Sequence, residues 1–202
     1  MAPPWTLPLV QPPPWLGAAA PAPAAPVHPP GSAGNPLSQV QATAIFGDLA
    51  GLKYIPFDYP RDGCFARAHE MCRVMQSHGI ECGKAWIYAS PGNALTVPGT
   101  PMGDIQWRYH VAPIVNVRGD DGVTRQMVID PSMFSHPVTQ DEWKGAMHDS
   151  GAVLQTTDSG PYYRDQGSDP SAAERDDDYK KTEAALEHYS EERDAWNASH
   201  PK

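Results

Sequence analysis

Cysteine is scarce in this chain, with three residues in 202, at positions 64, 72 and 82. Their spacing does not match the paired ligands of a zinc site, and an odd count leaves one thiol outside any intramolecular bridge. Cys64 and Cys72 fall eight residues apart on one expected helix, a rise of about 12 Å, which excludes a disulfide between them. Cys72 and Cys82 meet only if the chain turns back at Gly79, so a bridge there and two buried free thiols both remain open. Cys64 is the odd one out. Charge is missing from residues 1 to 36, which hold no Asp, Glu, Lys or Arg but carry twelve of the 23 prolines. Such a segment has too few backbone donors for helix or sheet and reads as a Pro/Ala-rich disordered tether. Long apolar runs are absent too. No stretch is long enough to span a bilayer, and the head lacks the basic and apolar regions of a Sec signal.

The formal net charge is −9. Residues 158 to 202 contribute most of it, with twelve acidic against six basic side chains. The catalytic region is left without a strong field, and nucleic acid is excluded as a partner. A chain of this length holds one core of ordinary size. The expected organisation is a tether over 1–36, a catalytic domain over 37–169, and an acidic C-terminal helix over 170–202 packing on that domain.

Several elements are legible along the chain. Residues 40–50 predict a short helix and 84–89 a strand, with a Gly/Pro/Thr-rich loop over 90–105. Two more strands are expected over 107–117 and 124–130, joined at Gly119-Asp120-Asp121-Gly122, a hairpin signal. Thr139-Gln140-Asp141-Glu142 has the form of a capping box opening a short helix, and Ser171-Ala172-Ala173-Glu174 that of a second. Residues 151–169 read as irregular. In the last helix Tyr179, Leu186, Tyr189 and Trp196 share one side.

The stretch Asp62-Gly63-Cys64-Phe65-Ala66-Arg67-Ala68-His69 places a cysteine in the first turn of a helix that runs to Gly79, with Asp62 as the expected cap. Phe65, Ala68, Cys72 and Met75 make its buried face, with Arg67, Glu70 and Arg73 elsewhere. Unpaired N–H groups and the positive end of the helix dipole favour a thiolate at Cys64. A cysteine nucleophile needs an imidazole held by a carboxylate. If the hairpin closes a three-residue loop at 119–121, Arg118 opposes Gly122 and His110 faces Asp130. A four-residue loop would put the two on opposite faces. His69 points about 140° away from Cys64 around the helix, and His78 lies about 21 Å along its axis. His136 is the remaining rival base. Trp107 and Tyr109 flank His110 and are candidate walls of a substrate cleft.

The block Ile55-Pro56-Phe57-Asp58-Tyr59-Pro60-Arg61-Asp62-Gly63-Cys64-Phe65-Ala66-Arg67-Ala68-His69-Glu70-Met71 resembles the nucleophile segment of bacterial protein-glutaminases. Trp107-Arg108-Tyr109-His110-Val111-Ala112 resembles that family's histidine strand. Val128-Ile129-Asp130-Pro131-Ser132-Met133-Phe134 with Pro137-Val138-Thr139 and Trp143 resembles its aspartate strand and the turn after it. The three blocks keep their order over residues 53–165.

The resemblance implies an α+β, papain- and transglutaminase-like fold in which the nucleophile helix packs on an antiparallel sheet carrying His and Asp. It implies hydrolysis of glutamine side-chain amides in a protein substrate, with Cys64 attacking, His110 shuttling the proton and Asp130 orienting the ring. No cofactor is called for, and the chain is expected to act as a monomer. Thiol protease and transglutaminase chemistry run on the same triad, and a non-catalytic interaction module is the remote alternative. Without a Sec signal, export by another route or delivery as an effector is the expected localisation.

Overall fold

The structure, a computed structural model, describes residues 35–100, 102–166 and 172–201. The tether expected over 1–36 lies, except for its last two residues, outside the described residues. Leu37–Ser38 (β1) leads into α1 (Gln39–Ala50). Ser38 Oγ accepts the Gln41 N–H at 3.2 Å, and Gln41 Oε1 accepts the Ser38 N–H at 2.9 Å. This reciprocal pair fixes the start of α1, and Ala42, Ile45, Phe46 and Leu49 bury one face.

Helix α2 (Cys64–Ser77) is entered differently from the sequence expectation. Gly63, not Asp62, is the capping residue, in the left-handed region at φ 78°, and no side chain caps the helix. Asp62 instead accepts the Gly63 N–H at 2.7 Å, one residue too early to cap. The far end stops as read, at Gly79 with φ 73°, where the Ile80 N–H returns to the Met75 carbonyl. The helix is buried on more than one face. Phe65 is only half-buried, whereas Arg67, His69 and Glu70 join Ala68, Cys72 and Met75 inside. Periodicity assigned these polar residues to solvent because it could not see that each finds a partner. Glu70, for one, takes Tyr54 Oη and Arg73 Nη2, both at 2.7 Å.

The main sheet runs in the order β7-β6-β5-β2-β8, with β1 pairing parallel to the end of β5. Its strands are β2 (Gly83–Tyr88), β5 (Tyr109–Arg118), β6 (Thr124–Val128), β7 (Val138–Thr139) and β8 (Val153–Asp158). β2 is central, and Ala85, Trp86, Ile87 and Tyr88 are almost wholly buried. One sheet face packs α1 and α2, and Trp86, Tyr88 and Val111 surround Cys64 there. The other face carries Ala85, Ile87, Ala112 and Ile114 against Trp143 and Met147. Trp143 belongs to α3 (Gln140–Gly145), whose first turn is capped by Thr139 Oγ1 accepting the Glu142 N–H. Cys72 and Cys82 are free thiols.

Three sequence expectations change here. Residues 90–105 are not a loop, because β3 (Leu95–Thr100) and β4 (Gly103–Trp107) pair as a separate hairpin that buries Leu95, Ile105 and Trp107. The strand expected over 107–117 is accordingly split at Arg108 between two sheets. The described part of 151–169, which ends at residue 166, is not irregular, since β8 edges the main sheet and β9 (Pro161–Tyr163) pairs with β10 (Glu174–Arg175). Glu174 therefore lies in a strand, and α4 (Lys180–Ser199) starts later than its capping-box signal. The carboxylate that serves its first turn is Asp176, which accepts the Lys181 and Thr182 N–H groups and the Thr182 hydroxyl.

Candidate active site

His110 is the second residue of β5, opposite Ile87 of β2, and only 1% exposed. Its Nε2 lies 2.8 Å from Asp130 Oδ2. The hairpin that brings them together is offset from the expected register. Arg118 pairs with Thr124 rather than Gly122, closing a five-residue loop. The slip is two residues, so the face parity of every side chain survives. The Ile129 N–H continues the ladder to the Pro113 carbonyl at 2.9 Å, which carries Asp130 beside the imidazole.

The carboxylate is fully engaged. Oδ2 also takes the Trp143 indole N–H at 2.9 Å, and Oδ1 takes the Ser132 N–H at 3.2 Å and its hydroxyl at 2.5 Å. Burial works to raise the Asp130 pKa, but the His110 charge and these hydrogen bonds hold it down at about 2. For His110 burial disfavours the charged ring, yet the Asp130 carboxylate, by charge and hydrogen bond, and then Cys64 raise it to about 9. The two shifts describe an imidazolium–carboxylate pair kept charged in a dry setting.

Trp107 holds this pair from the side. Its ring stacks on His110 with centroids 4.5 Å apart and an interplanar angle of 8°, while its indole N–H reaches the carbonyls of Pro60 and Arg61, both at 3.1 Å. Trp107 thus ties the histidine strand to the turn that delivers Cys64. Only 8% exposed, it acts as a buried clamp. Tyr109 remains half-buried beside the cysteine. Burial first, then the Cys64 and Tyr163 side chains, suppress its ionisation.

Cys64 occupies the first position of α2 and is 6% exposed. The first intrahelical bond runs from the Arg67 N–H to the Gly63 carbonyl, so the N–H groups of Cys64, Phe65 and Ala66 have no acceptor within the helix. The other ring nitrogen of His110, Nδ1, is buried with no hydrogen-bond partner, and Cys64 is the remaining side chain whose polar interaction reaches the ring. The rival histidines face elsewhere. His136 is exposed beside Ser135, His78 reaches the Val74 carbonyl, and His69 lies 2.7 Å from Lys84 Nζ. Sequence reasoning missed Arg67, Ser132 and Trp143 as members of the site. Ser132 had a signal, since Asp-Pro-Ser favours a turn in which the aspartate binds two residues on.

An antiparallel sheet with a cysteine-headed helix packed across it is an α+β fold. The glutaminase family profile matches residues 37–147. Solved structures agree. The solution structure of protein-glutaminase from Chryseobacterium proteolyticum has 30% identity and a TM-score of 0.66, covering 77% of this chain and 88% of that one. A crystal structure of protein-glutaminase has 28% identity, a TM-score of 0.64 and the same coverage. A crystal structure of pro-protein-glutaminase has 29% identity and a TM-score of 0.64, covering 77% of this chain and 58% of that longer one. No curated protein matches the chain. The chain belongs to the glutaminase family and is an enzyme of the protein-glutaminase kind. Among the described residues no helix is long and apolar enough to cross a membrane.

Proposed function

We propose that the protein hydrolyses the side-chain amide of glutamine residues in a protein substrate through a Cys64, His110 and Asp130 triad. The observation that carries this reading is the polarity of the imidazole. Its Nε2 is committed to Asp130 at 2.8 Å, which leaves Nδ1 as the nitrogen to work with Cys64, a side chain that interacts with the ring. In the first half-reaction the Cys64 sulfur attacks the carboxamide carbon, and the developing oxyanion is met by N–H groups at the start of α2, that of Cys64 among them. Nδ1 of His110 gives its proton to the leaving nitrogen, ammonia departs, and a glutamyl thioester remains. In the second, the now neutral imidazole takes a proton from water, hydroxide adds to the thioester carbon, and the thiolate leaves to give glutamate. Asp130 keeps the ring oriented and compensates its charge throughout. Tyr109, half-buried beside the sulfur, is assigned to the wall that receives the glutamine. The catalytic unit is assigned to residues 37–169, with α4 docked against it.

The test is incubation with a glutamine-rich protein, measuring released ammonia and a gain of about one dalton per modified residue. Cys64→Ala should abolish both, and His110→Ala and Asp130→Asn should each lower turnover by about 10² to 10⁴. Cleaved substrate chains would mark a protease instead, and covalent substrate dimers a transglutaminase. Full activity in Cys64→Ala would overturn the triad.

A further inference from the structure

Arg67 is a full cation inside the protein, 2% exposed, and the mechanism above does not use it. Both hydrogen bonds that its Nη1 donates go to neutral carbonyls, those of Tyr59 at 3.1 Å and Asp62 at 2.5 Å. Its Nη2 is buried with no partner at all. A guanidinium cannot shed its proton to escape such a site. Burying an uncompensated charge costs several kcal/mol, so a position like this calls for an anion nearby. On α2, Arg67 stands three residues after Cys64, a spacing that makes the two side chains neighbours, with about 5–6 Å between Cβ atoms.

From this placement we infer that Arg67 is a positioning residue whose buried charge is the standing counterion of the Cys64 thiolate, holding the nucleophile ionised before substrate arrives. The inference rests on Cys64 being the nucleophile. Among the groups that interact with the guanidinium, burial disfavours its charge most, and Cys64 heads those that favour it, followed by Asp130, Asp62 and Tyr189. Asp130 is already committed to His110, Ser132 and Trp143, and Asp62 to the Gly63 N–H. The remaining ionisable groups facing the sulfur are His110 and Tyr109 of β5, Tyr163 of β9, Tyr88 of β2 and Tyr189 of α4. Of these only His110 is cationic, and its proton is needed by the departing ammonia. A second, permanent cation lets the sulfur stay anionic whether or not the imidazole holds its proton. The same side chain anchors the turn over residues 59–62 through two carbonyls, so charge and placement are delivered together.

The test compares Arg67→Gln, which keeps donors for the carbonyls but no charge, with Arg67→Lys, which keeps the charge but not the fork. Alkylation of Cys64 by iodoacetamide, followed on the Cys64 peptide by mass spectrometry, reads the thiolate without reference to deamidation. Arg67→Gln should slow alkylation at pH 6 by about tenfold or more, because the adjacent opposite charge that favours the reactive thiolate is gone. At pH 10 its rate should approach that of the wild type, because the thiol is then ionised in both. Arg67→Lys should stay within a few-fold of wild type at either pH. Equal slowing of Arg67→Gln at pH 6 and pH 10, or no slowing at pH 6, would overturn the inference. If Arg67→Gln does not fold, Arg67→Lys decides it, because a folded lysine variant slowed tenfold at pH 6 alone would refute a role for charge. Full deamidation by Cys64→Ala would instead remove the underlying nucleophile assignment, which separates the two failures.

Discussion

The ring of Tyr189 fills the space that a side chain on Gly63 would need, with its Cδ2 2.5 Å from where that Cβ would stand. The C-terminal helix therefore closes directly over the residue before the nucleophile. The same tyrosine faces Asp62, and its ionisation is suppressed by burial first and then by the Asp62 charge. Gly63→Ala meets two obstacles, a left-handed backbone at φ 78° and an occupied volume. We expect it to lose at least about 1–2 kcal/mol from backbone strain alone. Thermal melting with steady-state kinetics will check this, and the accompanying loss should fall on kcat, because the displaced atom group is the first turn of α2. In a Tyr189→Ala background the same substitution should cost less, since one of its two obstacles is gone.

Trp107→Phe separates the two duties of the indole. The stacked ring survives, while the N–H that serves the Pro60 and Arg61 carbonyls is lost. Loss of the donor to the Pro60 and Arg61 carbonyls, the first bond buried and the second partly so, should cost about 1–3 kcal/mol in chemical denaturation. The nucleophile turn is no longer tethered to the histidine strand, and a misplacement of about 1 Å is worth up to about 10² in rate. The expected signature is a fall in kcat with KM little changed; an unchanged kcat in a folded variant would count against the tether.

Stability should depend on pH in a manner set by four buried groups. Asp130, held at about 2 in the folded protein, adds stability that is present above its ordinary carboxylate range and lost as the pH falls toward 2. His69, pushed down to about 4 by burial and then by the Lys84 charge, is neutral when folded, so stability drops as the pH falls from 6.5 through 4. His110, raised to about 9, works in the opposite direction. Its contribution is complete below about 6.5 and disappears as the pH rises through 9. Lys84, lowered to about 8 by burial, adds stability only as the pH rises from about 8 toward its ordinary 10.5, so the melting temperature should peak near pH 6.5 and decline toward pH 4 and toward pH 8. Melting His110→Phe across the same range should show the alkaline decline flattened and the acid limb intact.

Much of this arrangement was readable in the sequence because it depends on local rules. Gly79 ends α2, Ser38 opens α1, and the cysteine heads its helix because short-range geometry decides each. Parity explains why the site could be assembled despite the wrong hairpin loop, since a two-residue slip returns His110 and Asp130 to one face. What stayed hidden was polar burial. Arg67, His69 and Lys84 carry the letters of surface residues, and their burial shows only in the folded chain, where they meet the backbone carbonyls of Asp62, Asp176 and Pro161. The β3–β4 hairpin was obscured for another reason. Its glycines at 99 and 103, with φ of 69° and 86°, read as loop punctuation, although two paired strands lie on either side of them.

The reach of α4 has a practical consequence for anyone trimming this enzyme to a minimal version. The segment that carries the family signature ends at residue 147, yet β8 beyond it pairs along the whole of β2. Farther still, Trp196 lies under the Arg61 guanidinium at 4.5 Å, and Arg193 lies 3.7 Å from Asp58. Those last turns brace the peptide that presents the sulfur, so a recombinant product shortened to the recognisable motif would keep the three side chains of the proposed triad and lose the scaffold that aims them.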